Sequence, residues 1–415
     1  MPEVTQSNDA VGVDPALAGA AGVRPADAGA GEARSFLESS GQPTTGVAAV
    51  EERAFSTLDG LRGIAALAVA AYHLFFISHG QFLGFASRLR VSFIAVDLFF
   101  VLSGFVLAHA YERRLRQGMS VAAFMSLRIQ RLGPLYLLSV VLAVAGILIA
   151  DLSHPGPDGW PTLTLIATAA AMLMLIPLPA FGFGDRSLYP MNPVIWTLAA
   201  ELIVNVAYAV VARMLTLSRL ITICAVAGVL VAAACWMYLN LGVGSYWSNA
   251  WAGLARAFYG FFMGVLMFRL YTARRPPVVS GWICLAVLTA VLVAPLPLAW
   301  RPPYEALCAL VVFPALIYVS AGSRLSPIGR SICAVAGTTS YALYVLHFPI
   351  GDLIGLTVEK LGWNMRSAAG SYGLLAVLVL IAWIADARFD RPVRRALRRA
   401  LSAGLLRGGA AAVSA

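Results

Sequence analysis

The chain has 415 residues, 60% of them hydrophobic and only 12% charged, with a mean hydropathy of +0.80. Soluble globular proteins carry about 25% charged residues, so the composition excludes a purely soluble protein. The net charge is +10, yet 29 of the 30 basic residues are arginines that flank apolar runs, a placement that reads as membrane topology rather than nucleic-acid binding.

Residues 1–53 are rich in Ala, Gly and Pro and hold eight acidic residues against Arg24, Arg34 and Arg53. So little apolar material predicts a disordered tail. The tail also lacks the basic start and apolar stretch of a signal peptide, so the first insertion signal begins near Leu58. Apolar runs follow near 58–79, 91–110, 134–151, 161–179, 193–213, 219–240, 249–271, 278–299, 303–321, 332–354 and 370–388. Stretches of this length let a helix cross about 30 Å of hydrocarbon, which predicts an all-α, polytopic integral membrane protein.

Arginine placement sets the number of crossings. With the N-terminal tail in the cytoplasm and 161–179 not crossing, 21 basic residues fall inside and six outside; if 161–179 crosses, 11 fall inside and 16 outside. Lys and Arg near span ends favour the cytoplasm. The expectation is therefore ten transmembrane helices with both termini inside, residues 391–415 forming a basic cytoplasmic C-terminal tail. Segment 161–179, bracketed by Pro161, Pro177 and Pro179, becomes a re-entrant or interfacial segment on the outer side.

Charged groups within a span are costly and mark functional sites by default. At a helical rise of about 1.5 Å per residue, His73, Asp97, Glu201, Arg256 and His347 all fall roughly 9 to 12 Å below the outer boundary. Read structurally, Glu201 and Arg256 form an ion pair, the histidines cap carbonyls and Asp97 is a bonded residue near a helix start. Read functionally, a histidine base with carboxylates and a cation nearby fits acyl transfer. His79, His109 and His154 lie near span ends or in a loop and read as structural. At the cytoplasmic side Arg62 opens span one about 16 Å below His73, and Arg113, Arg114, Arg116, Arg128 and Arg131 crowd the next inside loop. Guanidinium forks suit the phosphates of a donor; the alternative is topology alone. Cys224, Cys235, Cys284, Cys308 and Cys333 sit singly in apolar segments, without metal-site or redox spacing, so no metal is expected.

The stretch Leu58-Asp-Gly-Leu-Arg62-Gly-Ile-Ala leading to Tyr72-His73 resembles the opening of the acyltransferase-3 family of membrane O-acyltransferases. Val96-Asp97 through Ser103-Gly104-Phe105, Arg128-Ile-Gln-Arg131-Leu-Gly-Pro134 and Trp196-Thr-Leu-Ala-Ala-Glu201 continue the pattern. Arg256 with Phe262-Met-Gly264, and Ser340-Tyr341-Ala-Leu-Tyr344-Val-Leu-His347, complete it. The similarity runs in order over roughly 55–390, making 54–390 the membrane acyltransferase domain. Thr197 stands where the family usually has Ser, and no extracytoplasmic domain follows span ten, which leaves the acceptor class open.

The resemblance implies ten membrane helices in a bacterial cytoplasmic membrane. It also implies an acyl-coenzyme A donor, acetyl-coenzyme A foremost, drawn from the cytoplasm. The acyl group then passes to a hydroxyl of a carbohydrate, glycolipid or secondary metabolite. The expected donor phosphate site is Arg62, Arg128 and Arg131. His73 is the expected general base or acyl carrier, with Glu201 or Asp97 orienting it. Arg256 or His347 would stabilise the oxyanion, and Tyr341, Trp196 and Ser103 belong to the same pocket. Nucleic acid is not an expected partner. Two rivals stand beside this: a proton-coupled secondary transporter using Asp97, Glu201 and the histidines, and a noncatalytic scaffold.

Overall fold

Long apolar stretches with few breakers fold as helices because hydrocarbon offers the backbone no other hydrogen-bond partner. The computed structural model describes residues 55–77, 84–153, 160–178, 187–360 and 368–400. The N-terminal tail, His79, His154 and residues 401–415 lie outside them. Among the described residues the helices are α1 (Ser56–Ile77), α2 (Ala95–Arg116), α3 (Val121–Ser153), α4 (Thr162–Leu173), α5 (Ile195–Val211) and α6 (Leu217–Tyr238). They continue with α7 (Ala250–Ala273), α8 (Gly281–Leu292), α9, α10 (Pro327–Lys360) and α11. Helix α9 runs from Arg301–Leu307 through a π turn at Cys308–Val312 into Phe313–Ala321. Helix α11 runs from Ala368–Ile384 through a second π turn at Ala385–Asp390, and the chain stays helical to residue 400.

Among the described residues there is no strand, only the isolated bridges Ser187–Tyr246 and Ser280–Arg324. Seven helical stretches are long and apolar enough to cross a membrane; 162–173, 195–211 and 281–292 are shorter. The protein is thus an all-α, polytopic membrane protein.

Three boundaries differ from the sequence reading. Arg128 and Arg131, expected in an inside loop, lie in the second and third turns of α3, because Pro134 sits inside that helix instead of starting it. Residues 391–400, expected as tail, extend α11. The eighth run, 278–299, is helical for only 12 residues, since Pro295 and Pro297 follow closely. Side chains satisfy the end of α8: Tyr304 donates to the Val291 carbonyl (2.8 Å) and Ser92 to that of Leu292 (3.1 Å).

Segment 161–179 is a 12-residue helix, α4, that stops where Leu175 adopts a φ of 56°. Tyr136 of α3 donates to the Met172 carbonyl, and Tyr189 donates to that of Leu175 (3.0 Å). Burial pushes the Tyr189 phenol up to about 12, which keeps it protonated as donor.

Contacts between distant helices fix their directions. Arg62 meets Gly337 and Ser340, and His73, eleven residues on, meets His347, so α1 and α10 run parallel. Asp97 meets Arg256 and Glu112 meets Arg269, so α2 and α7 are parallel too. The second pair is close enough that a Cβ on Gly104 would run into the Phe261 carbonyl, and one on Gly264 into that of Val101.

Candidate active site

The five ionisable residues expected at one depth divide into three constellations. First, His73 on α1 and His347 on α10 stack, with ring centroids 5.1 Å apart and 17° between planes, and His73 Nδ1 lies 3.0 Å from His347 Nε2. His347 Nδ1 lies 3.1 Å from the Leu343 carbonyl oxygen. A carbonyl only accepts, so His347 Nδ1 carries hydrogen and, in the neutral ring, Nε2 carries the lone pair. That lone pair accepts from His73 Nδ1–H. His73 Nε2 is then left as the basic nitrogen, a proton assignment that follows from the pattern of partners.

Second, Asp97 and Arg256 form a two-pronged pair: Arg256 Nε donates to Oδ1 (2.9 Å) and Nη2 to Oδ2 (2.8 Å). Both are nearly fully buried. Arg256 also donates to the Val243 carbonyl (2.7 Å) and lies 5.6 Å from the Trp196 ring centroid. Its charge is thereby consumed by the fold. Neither residue bonds to His73, so the geometry assigns them to bracing α2 against α7 instead of to orienting the histidine or stabilising an oxyanion.

Third, Glu201 of α5 accepts from Arg128 (2.7 Å) and from Ser103 (2.8 Å), both at Oε1. Ser103 follows Asp97 by six residues on α2, a rise of about 9 Å, so its bond places Glu201 that far along the bundle from Asp97. The two levels that the sequence kept apart therefore meet, and Glu201 stands in the arginine cluster, not beside His73.

That cluster opens into a cavity of about 160 Å³ whose walls include Arg62, Arg128, Arg131, Ser103, Glu201 and Tyr341. Arg62 pairs with Asp59 (2.6 Å) and bonds Ser340 (3.1 Å). Arg131 faces Asp390 (3.7 Å) and the Tyr341 ring (5.9 Å), while Tyr341 donates to the Leu132 carbonyl (2.7 Å). The Nε of Arg128 is buried with no acceptor among the described residues. An unmet charged donor on a cavity wall fits an anionic ligand.

Tyr344 links cavity and histidines. It lines the cavity, its hydroxyl shares a hydrogen bond with Thr197 (2.8 Å), and its ring lies 6.1 Å from that of His347. Tyr341, Tyr344 and His347 thus climb one helix from the arginines to the base. Sequence reasoning quoted Tyr344 without giving it a role; its spacing three residues before His347 was the available signal. It also missed Asp390, which only the fold brings behind Arg131. His109 packs edge-on to Phe55 and Phe268, a structural position. Among the described residues no group of His, Cys, Asp and Glu is placed to hold a metal ion.

This helical membrane bundle, with a stacked histidine pair and an arginine-lined cavity, is of the kind that a membrane acyltransferase needs. Residues 55–386 match the acyltransferase domain of the acyltransferase-3 family, and the chain belongs to that family. It is 27% identical over 383 residues to Acyltransferase MdmB of Streptomyces mycarofaciens, covering 83% of this chain and 92% of that protein. It is 35% identical over 187 residues to Protein 2 in picA locus of Rhizobium radiobacter, 43% of this chain and 94% of that protein. No solved structure matches the chain.

Proposed function

We propose that the protein is an O-acyltransferase that moves an acetyl or other short acyl group from acyl-coenzyme A to a hydroxyl of a carbohydrate, glycolipid or secondary metabolite. The observation that carries this is the His73–His347 pair, with its basic nitrogen set by hydrogen bonding, above a cavity lined by Arg62, Arg128 and Arg131.

The arginines hold the donor's phosphates, Arg128 through the unmet Nε–H and by release of Glu201. Tyr341 and Tyr344 flank the route of the pantetheine arm, and the helical rise of about 16 Å between Arg62 and His73 suits its length. His73 Nε2 takes the proton of the acceptor hydroxyl as that oxygen bonds to the acyl carbon and the carbon–sulfur bond breaks. His73 then returns the proton to the departing thiolate. His347 shares the positive charge that His73 acquires.

The parallel helix pairs support ten crossings. Between α1 and α10 an odd number of helices must cross, as between α2 and α7, so one helix of α3–α6 turns back; the shortest of these is α4. The equally short α8 lies outside that interval and crosses. With the arginine asymmetry this favours both termini in the cytoplasm of a bacterial inner membrane, and an outward-facing α4.

Purified protein in nanodiscs, given acetyl-coenzyme A and panels of hydroxyl-bearing acceptors, tests the reading through release of free thiol. Acceptor-dependent release that His73→Ala abolishes is the expected result. Wild-type rates in His73→Ala, or no release with any acceptor, would overturn it.

A further inference from the structure

The end of the bundle that carries His73 holds a second cavity, of about 430 Å³, walled by Arg90 and Val91, by residues 294–297, and by Arg301. Small-molecule sites span about 300–1,000 Å³. Its height relative to the base follows from packing: Leu89 and Val293, chain neighbours of these walls, cluster with Ala71 of α1. Ala71 precedes His73 by two residues, a rise of about 3 Å. Tyr72 lies next to His73, its ring 5.2 Å from that of His73 and 5.8 Å from that of Phe93, a chain neighbour two residues past the wall residue Val91.

The charge of this cavity is one-sided. Among the described residues two arginines line it and no carboxylate does. Glu305, one turn along α9 from Arg301, points inward and accepts the Leu241 N–H (2.7 Å). The Nε of Arg301 is buried and has no acceptor among the described residues. Pro295 and Pro297 furnish a wall with no N–H of its own. A buried guanidinium donor left unmet costs more than a neutral one, and a carboxylate or phosphate oxygen is the partner that best satisfies it.

We infer that this cavity binds a carboxylate or phosphate group of the acceptor, so that the acceptor is an acidic saccharide or sugar phosphate whose hydroxyl is presented past Tyr72 to His73. The inference rests on the acyltransferase reading and adds a substrate class to it.

Calorimetry on the purified full-length chain decides it, with methyl glucuronide, glucose 6-phosphate, methyl glucoside and dihexanoyl phosphatidic acid as probes. At least one acidic sugar should bind about 10-fold or more tightly than methyl glucoside, and Arg301→Gln should erase that preference while acetyl-coenzyme A affinity stays unchanged. If Arg301→Gln does not fold, Arg90→Gln, at an exposed side chain, carries the same comparison. Equal binding of neutral and acidic sugars, or a preference that survives both variants, overturns the inference. So does binding of phosphatidic acid alone, which would make this a lipid-headgroup site. Failure of the broader reading looks different: no acetyl-coenzyme A-dependent thiol release, whatever the charge preference.

Discussion

His347 holds His73 in one tautomer: its Nε2 lies 3.0 Å from His73 Nδ1, while its own Nδ1 is committed to the Leu343 carbonyl. His347 is buried, and under the proposed mechanism it positions His73 without touching the reacting atoms. Its replacement by Ala should lower kcat by about 10²- to 10⁴-fold, with the KM for the donor little changed, and Gln, whose side-chain carbonyl still accepts, should recover part of the loss. Steady-state kinetics with varied acetyl-coenzyme A reads the split; a rise in KM alone would contradict this role.

The Asp97–Arg256 pair calls for a different outcome. Removing one partner of a buried ion pair costs about 3–5 kcal/mol because the other charge is left stranded. Asp97→Asn should therefore lower the melting temperature sharply, and whatever protein stays folded should keep its donor affinity. A variant that melts as wild type yet has lost turnover would return Asp97 to the chemistry.

Glu201 occupies the Arg128 guanidinium that the proposed mechanism gives to the donor. Loss of a charge-assisted phosphate contact costs about 1.5–3 kcal/mol, a 10- to 150-fold rise in Kd; Arg128→Ala should weaken acetyl-coenzyme A binding on that scale, and less so for acetyl-pantetheine. Glu201→Gln removes the competing anion and should tighten it. Titration calorimetry settles both signs. Equal weakening of full and truncated donors by Arg128→Ala would remove the phosphate contact.

Gly104 and Gly264 set the separation of α2 and α7. Gly104→Ala drives a methyl into a backbone carbonyl that cannot rotate away, so destabilisation of roughly 3 kcal/mol or more is expected. Thermal melts of the detergent-solubilised variant check it, and a wild-type melt would mean the helices sit farther apart.

The topology gives a labelling test at described positions. Cysteines placed at Trp160 and Pro177, on either side of α4, should both react with an impermeant reagent applied from outside. Reaction at only one of them restores eleven crossings. Gly159 and Gly184, natural choices from sequence, lie outside the described residues.

Much of this was legible before the fold. Hydropathy marks the helices, because the length needed to cross hydrocarbon is written directly in the apolar runs; arginine asymmetry singles out 161–179, where the structure has the 12-residue α4, while α8 is equally short. The motif residues find physical reasons in the bundle: Gly104 and Gly264 for close approach, Trp196 over Arg256, Ser103 on Glu201. Depth along a helix was legible only in part, since Glu201 meets Ser103 six residues past Asp97 on α2, and azimuth was not legible. Asp97, Glu201 and Arg256 share a level with the histidines by counting residues, yet which one faces which depends on neighbours far away in the chain. The pairing of Arg128 with Glu201 was likewise invisible.

Arg131 is braced from beyond the last apolar run. Asp390, fully buried, faces it at 3.7 Å and is itself held by Arg394 at 2.7 Å, while Asp386 engages Arg391 at 2.6 Å. A chain cut after Arg388 would retain all the apolar runs that insert it into a bilayer, yet lose Asp390, the acidic counterweight behind one of its cavity arginines. If Arg131 holds the donor as proposed, protein shortened there is expected to be abundant and correctly inserted yet weak in donor retention, so that expression level becomes a poor guide to competence.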